Sequence, residues 1–226
     1  MPTVLKTTRA LVLDLDGTLI DSSDGVVDAV NYSLRMMEQP EQPPERIKSY
    51  IGFPLSQMYP VFTDASVDQL CHHFQVMAAR TMVSLTEALP GADDTLRLLK
   101  SNGLKLAVAT TKIRVHVDGI IAKLGWDVLF DALVGGDEVT RVKPAPEAFK
   151  LALNRLEIDA DEAIAVGDTI NDVNAAKAVP MTVIAVNSPY GGRDQLLAAQ
   201  PDHFIESITE LPRLLKEQSL TVWRRS

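Results

Sequence analysis

A single cysteine, Cys71, excludes an internal disulfide framework and fits a reducing compartment. Aromatic residues are scarce at 5%, so the core must be built from Leu, Val, Ile, Ala and Met. Basic excess is missing too. The formal net charge is −8 and the pI about 5.0, which argues against polyanion binding, so neither nucleic acid nor an anionic membrane is expected as partner. No apolar run approaches the roughly 20 residues of a membrane helix. The N-terminus lacks the basic, apolar, small-residue order of a signal peptide, and repeats and low-complexity segments are absent. A soluble, cytoplasmic chain is therefore expected. What is present is ordinary globular composition: 46% hydrophobic and 23% charged residues, with mean hydropathy +0.05. Across 226 residues this suffices for one large domain, or a domain with a small companion.

Two textures alternate along the chain. Short apolar runs at 10–13, 104–109, 132–134, 163–166 and 181–186 read as buried parallel strands. Helical patterns fall between them at 93–101, 115–124 and 147–156, the first stopped by Asn102-Gly103. This alternation predicts an α/β fold, a doubly wound, Rossmann-like parallel sheet. From Asp21 to about Ala88 the rhythm breaks. Residues 24–37 and 66–85 read as amphipathic helices, the second with Ser66 as N-cap and Asp68 in its first turn. A small all-helical domain inserted after the first strand follows, with residues 1–20 and 88–226 forming the α/β core and 21–87 the insertion.

Polar clusters sit where the apolar runs stop. Asp14 and Asp16 straddle Leu15 after the first strand, so alternation sends both carboxylates to one side, and Gly17 permits a close backbone approach to a ligand. Like charges this close require a cation or a proton between them; an Asx-turn pair is the plainer reading. Thr110-Thr111-Lys112 follows the 104–109 run, where a hydroxyl can also cap the next helix. Lys143 precedes Pro144 and Pro146, and a solvated loop charge is its plainer reading. In Gly167-Asp168-Thr169-Ile170-Asn171-Asp172 the two aspartates lie one helical turn apart and can face one spot; N-capping would account for Asp168 but not for Asp172.

Taken together, the clusters would meet outside the carboxyl ends of the strands, where open parallel sheets bind ligands. The carboxylates supply an all-oxygen site suited to Mg²⁺, and a hydroxyl and a lysine would hold a phosphoryl group. In an acidic protein, the positive field for phosphate has to be made locally in this way.

The order DxDGT, Thr, Lys, GDxxND from Leu11 to Asp172 resembles the four signature motifs of the haloacid dehalogenase (HAD) superfamily phosphatases. The insertion resembles that superfamily's type-one helical cap, and Ile51-Gly52-Phe53-Pro54-Leu55 resembles the cap loop of phosphoglycolate-phosphatase-like members. The resemblance implies a phosphoric monoester hydrolase acting on a small phosphorylated metabolite such as phosphoglycolate. Asp14 would be the nucleophile, and Asp16 an acid–base residue kept protonated at first by its crowded neighbours. Gly17, Thr110, Thr111 and Lys143 would bind substrate. Mg²⁺ would be held by Asp14, Asp168, Asp172 and the main-chain carbonyl of Asp16. Asp16 separates the chain from dehalogenase-type and phosphonatase-type relatives, which lack it, and Thr18 from sugar phosphomutases. Thr110-Thr111-Lys112 is similar to the pyrophosphatase relatives, so a pyrophosphatase or nucleotidase is the alternative within the family. Outside it stands an aspartyl-phosphorylated signalling module of receiver type, against which the length and the insertion argue. The resemblance leaves monomer and homodimer open.

Other residues read as packing or surface. His72 and His73 project about 100° apart on a helix, too divergent to share a metal. Met36, Met37, Met77 and Met82 are expected in the core or between domains. Phe53 and Tyr59 line the substrate pocket or pack the insertion, and Trp223 with Arg224 and Arg225 is expected at a frayed terminus.

Overall fold

The computed structural model describes residues 8–190 and 192–217; Trp223, Arg224 and Arg225 lie outside the described residues. Eight strands and ten α-helices are described. In chain order they are β1 (Ala10–Leu13), β2 (Ile20–Asp21), α1 (Ser23–Met36), α2 (Pro44–Lys48), α3 (Leu55–Phe62), α4 (Val67–Thr81) and β3 (Glu87–Ala88). Then follow α5 (Ala92–Ser101), β4 (Lys105–Ala109), α6 (Arg114–Lys123), β5 (Ala132–Val134), α7 (Glu147–Leu156) and β6 (Ala163–Gly167). The chain continues through α8 (Ile170–Lys177), β7 (Thr182–Val186), α9 (Arg193–Ala198), β8 (His203–Ile205) and α10 (Leu211–Glu217).

Six strands form one parallel sheet in the order β5-β4-β1-β6-β7-β8, the doubly wound arrangement expected from the alternating pattern. Alternation along each strand divides the interior in two. Leu11 and Leu13, Leu106 and Val108, and Ile164 and Val166 face one apolar cluster. On the opposite face Ala10, Ala107, Ala109, Ala163 and Ala165 leave shallow ground against which Ala148, Phe149 and Ala152 of α7 and Val173 and Ala176 of α8 pack closely. Small residues on one face and large ones on the other are how a chain with few aromatics fills both layers.

The first strand is central, with β4 on one side and β6 on the other. Leu13 pairs with both Val108 and Val166, so the residues following β1, β4 and β6 emerge level with one another. That is the switch point at which the chain changes direction across the sheet.

Residues 23–81 carry four helices and no strand, as the sequence pattern predicts. The bounds differ at the second long helix, which ends at Thr81 rather than Leu85, and Ser66 at its N-cap position makes no side-chain cap bond. A two-residue antiparallel ribbon, with Ile20 opposite Ala88 and Asp21 opposite Glu87, joins the helical segment to the sheet where the connections were expected. It is too short for periodicity to detect. Strand β8 was missed as well, because His203 and Phe204 are only half-buried at the sheet's edge. Met82 is buried, but Met36 is 50% exposed and does not belong to the core as expected. His72 is exposed and His73 half-buried, their ring centroids 5.5 Å apart. Tyr59 is fully buried, its hydroxyl 2.6 Å from Ser33 Oγ.

The helical segment reaches back to the sheet at Gly52, whose φ of +88° suits glycine; a Cβ there would come within 2.7 Å of Thr169 Cγ2. On the other side Tyr190 Oη donates to Asp21 Oδ1 at 3.0 Å, tying the ribbon to the loop after β7.

The edge strand β5 is blunted by charge. Arg114 and Arg155 both donate to the Leu133 carbonyl, and Glu138 holds the two guanidiniums, with Arg155 Nη2 2.8 Å from Glu138 Oε1. Burial pushes the Glu138 carboxyl up, but hydrogen bonds from Arg155, the Gly135 N–H and Arg114 outweigh it and hold the pKa down to about 2, against an ordinary 4.5. A depressed carboxyl stabilises the fold above its unfolded pKa and loses that contribution as pH falls from about 4.5 towards 2. Glu138→Gln should therefore lower the urea midpoint at pH 6, and its deficit against the wild type should shrink by pH 3. A deficit independent of pH would show that the carboxylate charge is not what matters there.

Candidate active site at the switch point

Asp14 leaves the end of β1 with its N–H donating to the Val166 carbonyl at 2.8 Å, which fixes its backbone beside β6. Asp168 follows directly after β6, and Asp172 lies in the first turn of α8. All three carboxyl groups are buried, and one oxygen from each lies within 4.8 Å of the others. Residues more than 150 positions apart are thus brought to one point by the register of two adjacent strands.

Each carboxylate is held differently. The carboxylate of Asp172 closes a capping box with Thr169, accepting from its N–H at 3.0 Å and its hydroxyl at 2.6 Å. Its other oxygen accepts from Lys143 Nζ, which also donates to Asp14 Oδ1 at 2.7 Å. The side chain of Lys143 is 1% exposed, so it is not the solvated loop charge that its setting among prolines would allow. Burial opposes the Lys143 charge, but Asp14 and Asp172 outweigh burial and raise its pKa, keeping it an ammonium. On Asp168, Oδ1 accepts from Thr18 Oγ1 at 3.1 Å, while Oδ2 is buried with no hydrogen-bond partner.

Burial pushes the Asp14 carboxyl up to about 7; Asp172 and Asp16 add to the rise, and Lys143 resists it. Burial, then Asp14 and Asp172, raise Asp168 well above the usual carboxylate range, with Ser188 and Thr18 opposing. Four carboxylates, those of Asp14, Asp16, Asp168 and Asp172, stand against two ammonium groups, those of Lys112 and Lys143, leaving two negative charges unmatched. Three clustered hard oxygens, an orphaned carboxylate oxygen and a deficit of two charges fit a divalent cation such as Mg²⁺.

Asp16 stands apart from this cluster. Its Oδ1 lies 3.2 Å from Lys112 Nζ and accepts from Ser22 Oγ, so it is not one of the three clustered carboxyl groups, although its charge still adds to the rise at Asp14. Gly17 has φ +78°, and a Cβ there would fall 2.1 Å from Asp168 Oδ2. Thr110 is buried beyond β4, its hydroxyl accepting from the Lys112 N–H at 3.3 Å. Helix α6 is capped at Ile113, so Thr110 is not its cap residue. Thr111 is half-buried and lines a cleft next to Asp16. Sequence reasoning gave no role to Lys112, Ser22, Thr18, Thr169 or Ser188. Of these only Thr169 left a readable signal, a threonine three residues before an acidic residue at a helix start.

Residues 11–186 match the sequence profile of the haloacid dehalogenase-like hydrolases. The chain belongs to that family. It is similar to the "Probable phosphatase IndB" of Dickeya dadantii, 34% identical over 89% of this chain and 90% of that one. It is 31% identical to the plasmid phosphoglycolate phosphatase of Cupriavidus necator, over 95% and 96% of the two chains. It is also 31% identical to pyrophosphatase PpaX of Bacillus velezensis, over 91% and 95%. Among solved structures, a hydrolase from Pseudomonas syringae superposes with TM-score 0.79 at 27% identity, over 93% and 99% of the chains. This HAD-family chain is thus a phosphatase-type hydrolase similar to phosphoglycolate phosphatases, and a signalling module is set aside. No described helix is long and apolar enough to cross a membrane.

Gly17→Ala would force a left-handed backbone on a side chain and push Asp168 from its place. Misplacing a reacting group by about 1 Å costs roughly 10²-fold, so kcat on p-nitrophenyl phosphate should fall by at least about that factor. A variant with unchanged kcat would show that Asp168 tolerates displacement.

Proposed function

We propose that this HAD-family protein hydrolyses a small phosphorylated metabolite with Mg²⁺, through an aspartyl phosphate on Asp14. The observation carrying the reading is the buried triad with its unpartnered Asp168 Oδ2 beside the Lys143–Asp14 pair. Asp14, Asp168, Asp172 and the main-chain carbonyl of Asp16 would hold the ion. When bound, Mg²⁺ neutralises charge on the carboxylates and the transferring phosphoryl group, so that two anions can approach.

The remaining steps belong to side chains. Lys143 engages Asp14 Oδ1, which leaves Oδ2 to attack phosphorus in line. As the Asp14–phosphorus bond forms and the ester bond breaks, Asp16 in its acid form gives its proton to the departing alkoxide. Ser22 and Lys112 orient its carboxyl group for this task. Asp16 then takes a proton from a water that attacks the phosphoryl group, releasing phosphate and free Asp14. Gly17, Thr110, Thr111 and Lys143 bind the phosphoryl oxygens, and the helical segment 21–87 acts as a cap over residues 1–20 and 88–226, excluding water during transfer.

Asp14→Asn should abolish phosphate release from p-nitrophenyl phosphate while leaving binding of the intact ester. Retained hydrolysis would exclude Asp14 as nucleophile. Asp16→Ala should lower kcat by about 10²- to 10⁴-fold, the range for a general acid–base group, and normal steady-state rates would remove it from that role. EDTA should stop turnover and Mg²⁺ restore it.

A further inference from the structure

The phosphoryl end of the site is dense in charge, whereas the wall that residues 23–82 contribute to the space beside it carries no charged side chain. Of the four site aspartates only Asp16 lines a cleft of about 560 Å³, measured with its open mouth, between the helical segment and the sheet. Its outer wall is formed by Val26, Phe53, Met58, Phe74 and Met82, with Gln75 supplying an amide. No lysine, arginine or carboxylate from residues 23–82 lines it, among the described residues. Two cations of that segment are engaged elsewhere, and Lys48, which acts on Asp21, does not line the cleft. Arg35 lies 3.1 Å from Glu41, and Arg46 stacks 5.1 Å from the Phe62 ring centroid while donating to Gln42 and the Val61 carbonyl.

The sheet side adds Lys112 and His116. Lys112 Nζ is already committed: Asp16 Oδ1 lies at 3.2 Å, Met82 Sδ at 3.4 Å and Ser22 Oγ at 3.5 Å. Burial and then Lys112 lower the His116 pKa below its ordinary 6.5, against the opposing pull of Asp16 and Asp137, so the imidazole is neutral at pH 7.

We propose that the substrate is a phosphomonoester whose alcohol is uncharged and carries apolar surface, with its leaving oxygen at Asp16 and its carbon skeleton in this cleft. A carboxylate or second phosphate there would exchange water for largely apolar walls, and the one ammonium lining the cleft, Lys112, is shared with Asp16 and Ser22. An ionised group left unpaired in such a place is strongly disfavoured, whereas apolar surface gains from the same burial. Phosphoglycolate and pyrophosphate, the compounds that give two relatives their names, both carry negative charge on the leaving portion. Identity of 31% to each therefore does not by itself transfer either substrate to this chain. Gln75 and neutral His116 are left to bind hydroxyl or carbonyl groups of the alcohol.

The proposal rests on the hydrolytic reading above, and its test separates the two. 2-Hydroxyethyl phosphate and 2-phosphoglycolate match in chain length and differ in charge on the leaving portion. With wild-type protein and Mg²⁺, kcat/KM should favour 2-hydroxyethyl phosphate by at least about tenfold, and Gln75→Arg should reduce or reverse that preference by a similar factor. Dissociation constants on Asp14→Asn protein read the cleft without the chemistry. There phenyl phosphate should bind tightest, then 2-hydroxyethyl phosphate, then 2-phosphoglycolate. Tighter binding of 2-phosphoglycolate or pyrophosphate than of both uncharged esters would overturn the proposal. Should wild-type protein hydrolyse none of the esters while the binding order holds, the hydrolytic function fails and the cleft assignment stands.

Discussion

Three buried carboxylates, gathered where water cannot screen them, repel one another, and the rest of the molecule is arranged around that repulsion. Lys143 offsets part of it by bonding Asp14 and Asp172 from a position itself sealed from solvent. One ammonium cannot neutralise three carboxylates. The remainder appears as the raised pKa of Asp14 and Asp168 and as an Asp168 oxygen with no partner. A site with this deficit would favour a divalent cation, because the folded chain has already met the cost of assembling its ligands. The same fields that disfavour the ionised carboxylates would favour a cation that lets a phosphoryl group approach.

Holding that cluster together falls to the sheet. Register between β1 and both of its neighbours brings Asp14 and Asp168 level, and packing on the alanine-rich face keeps α7 and α8 close beneath them. Glycine at position 17 is required by space as well as by its backbone, since any side chain would occupy the place of Asp168 Oδ2. Site geometry and core packing are therefore not separable here.

Much of this was readable in the residues. Apolar runs bounded by polar ones marked five of the six sheet strands, because strands buried on both faces need continuous hydrophobicity. The spacing of Asp168 and Asp172, one helical turn, pointed to a shared spot, and both join the cluster; the alternation that set Asp16 on the side of Asp14 did not foresee its turn to Lys112 and Ser22. Contacts between segments distant in sequence left no such mark. Lys112 reaching Asp16, Thr18 reaching Asp168, and Ser22 reaching Asp16 depend on how loops fold over the sheet, and no periodicity encodes that. The β2–β3 ribbon and the half-buried edge strand β8 are too short or too mixed in polarity for a pattern to emerge. Met36 shows the opposite failure, a hydrophobic residue that tertiary packing leaves in water.

Asp16 joins the two halves of the site. Its backbone follows the strand that carries Asp14, but its carboxyl group turns to the cleft, where Ser22 and Lys112 hold it. On the proposed mechanism, a group at that border would meet the leaving oxygen as it departs from phosphorus, which is where a proton is needed. Because Lys112 is occupied in positioning it, that lysine is not free to receive an anionic leaving group. Selectivity for an uncharged alcohol and delivery of the proton would then both depend on the contact between Lys112 and Asp16. On this view specificity lies less in the cap's apolar wall, which admits many shapes, than in the lack, among the described residues lining the cleft, of a cation beyond Lys112 to balance a second charge.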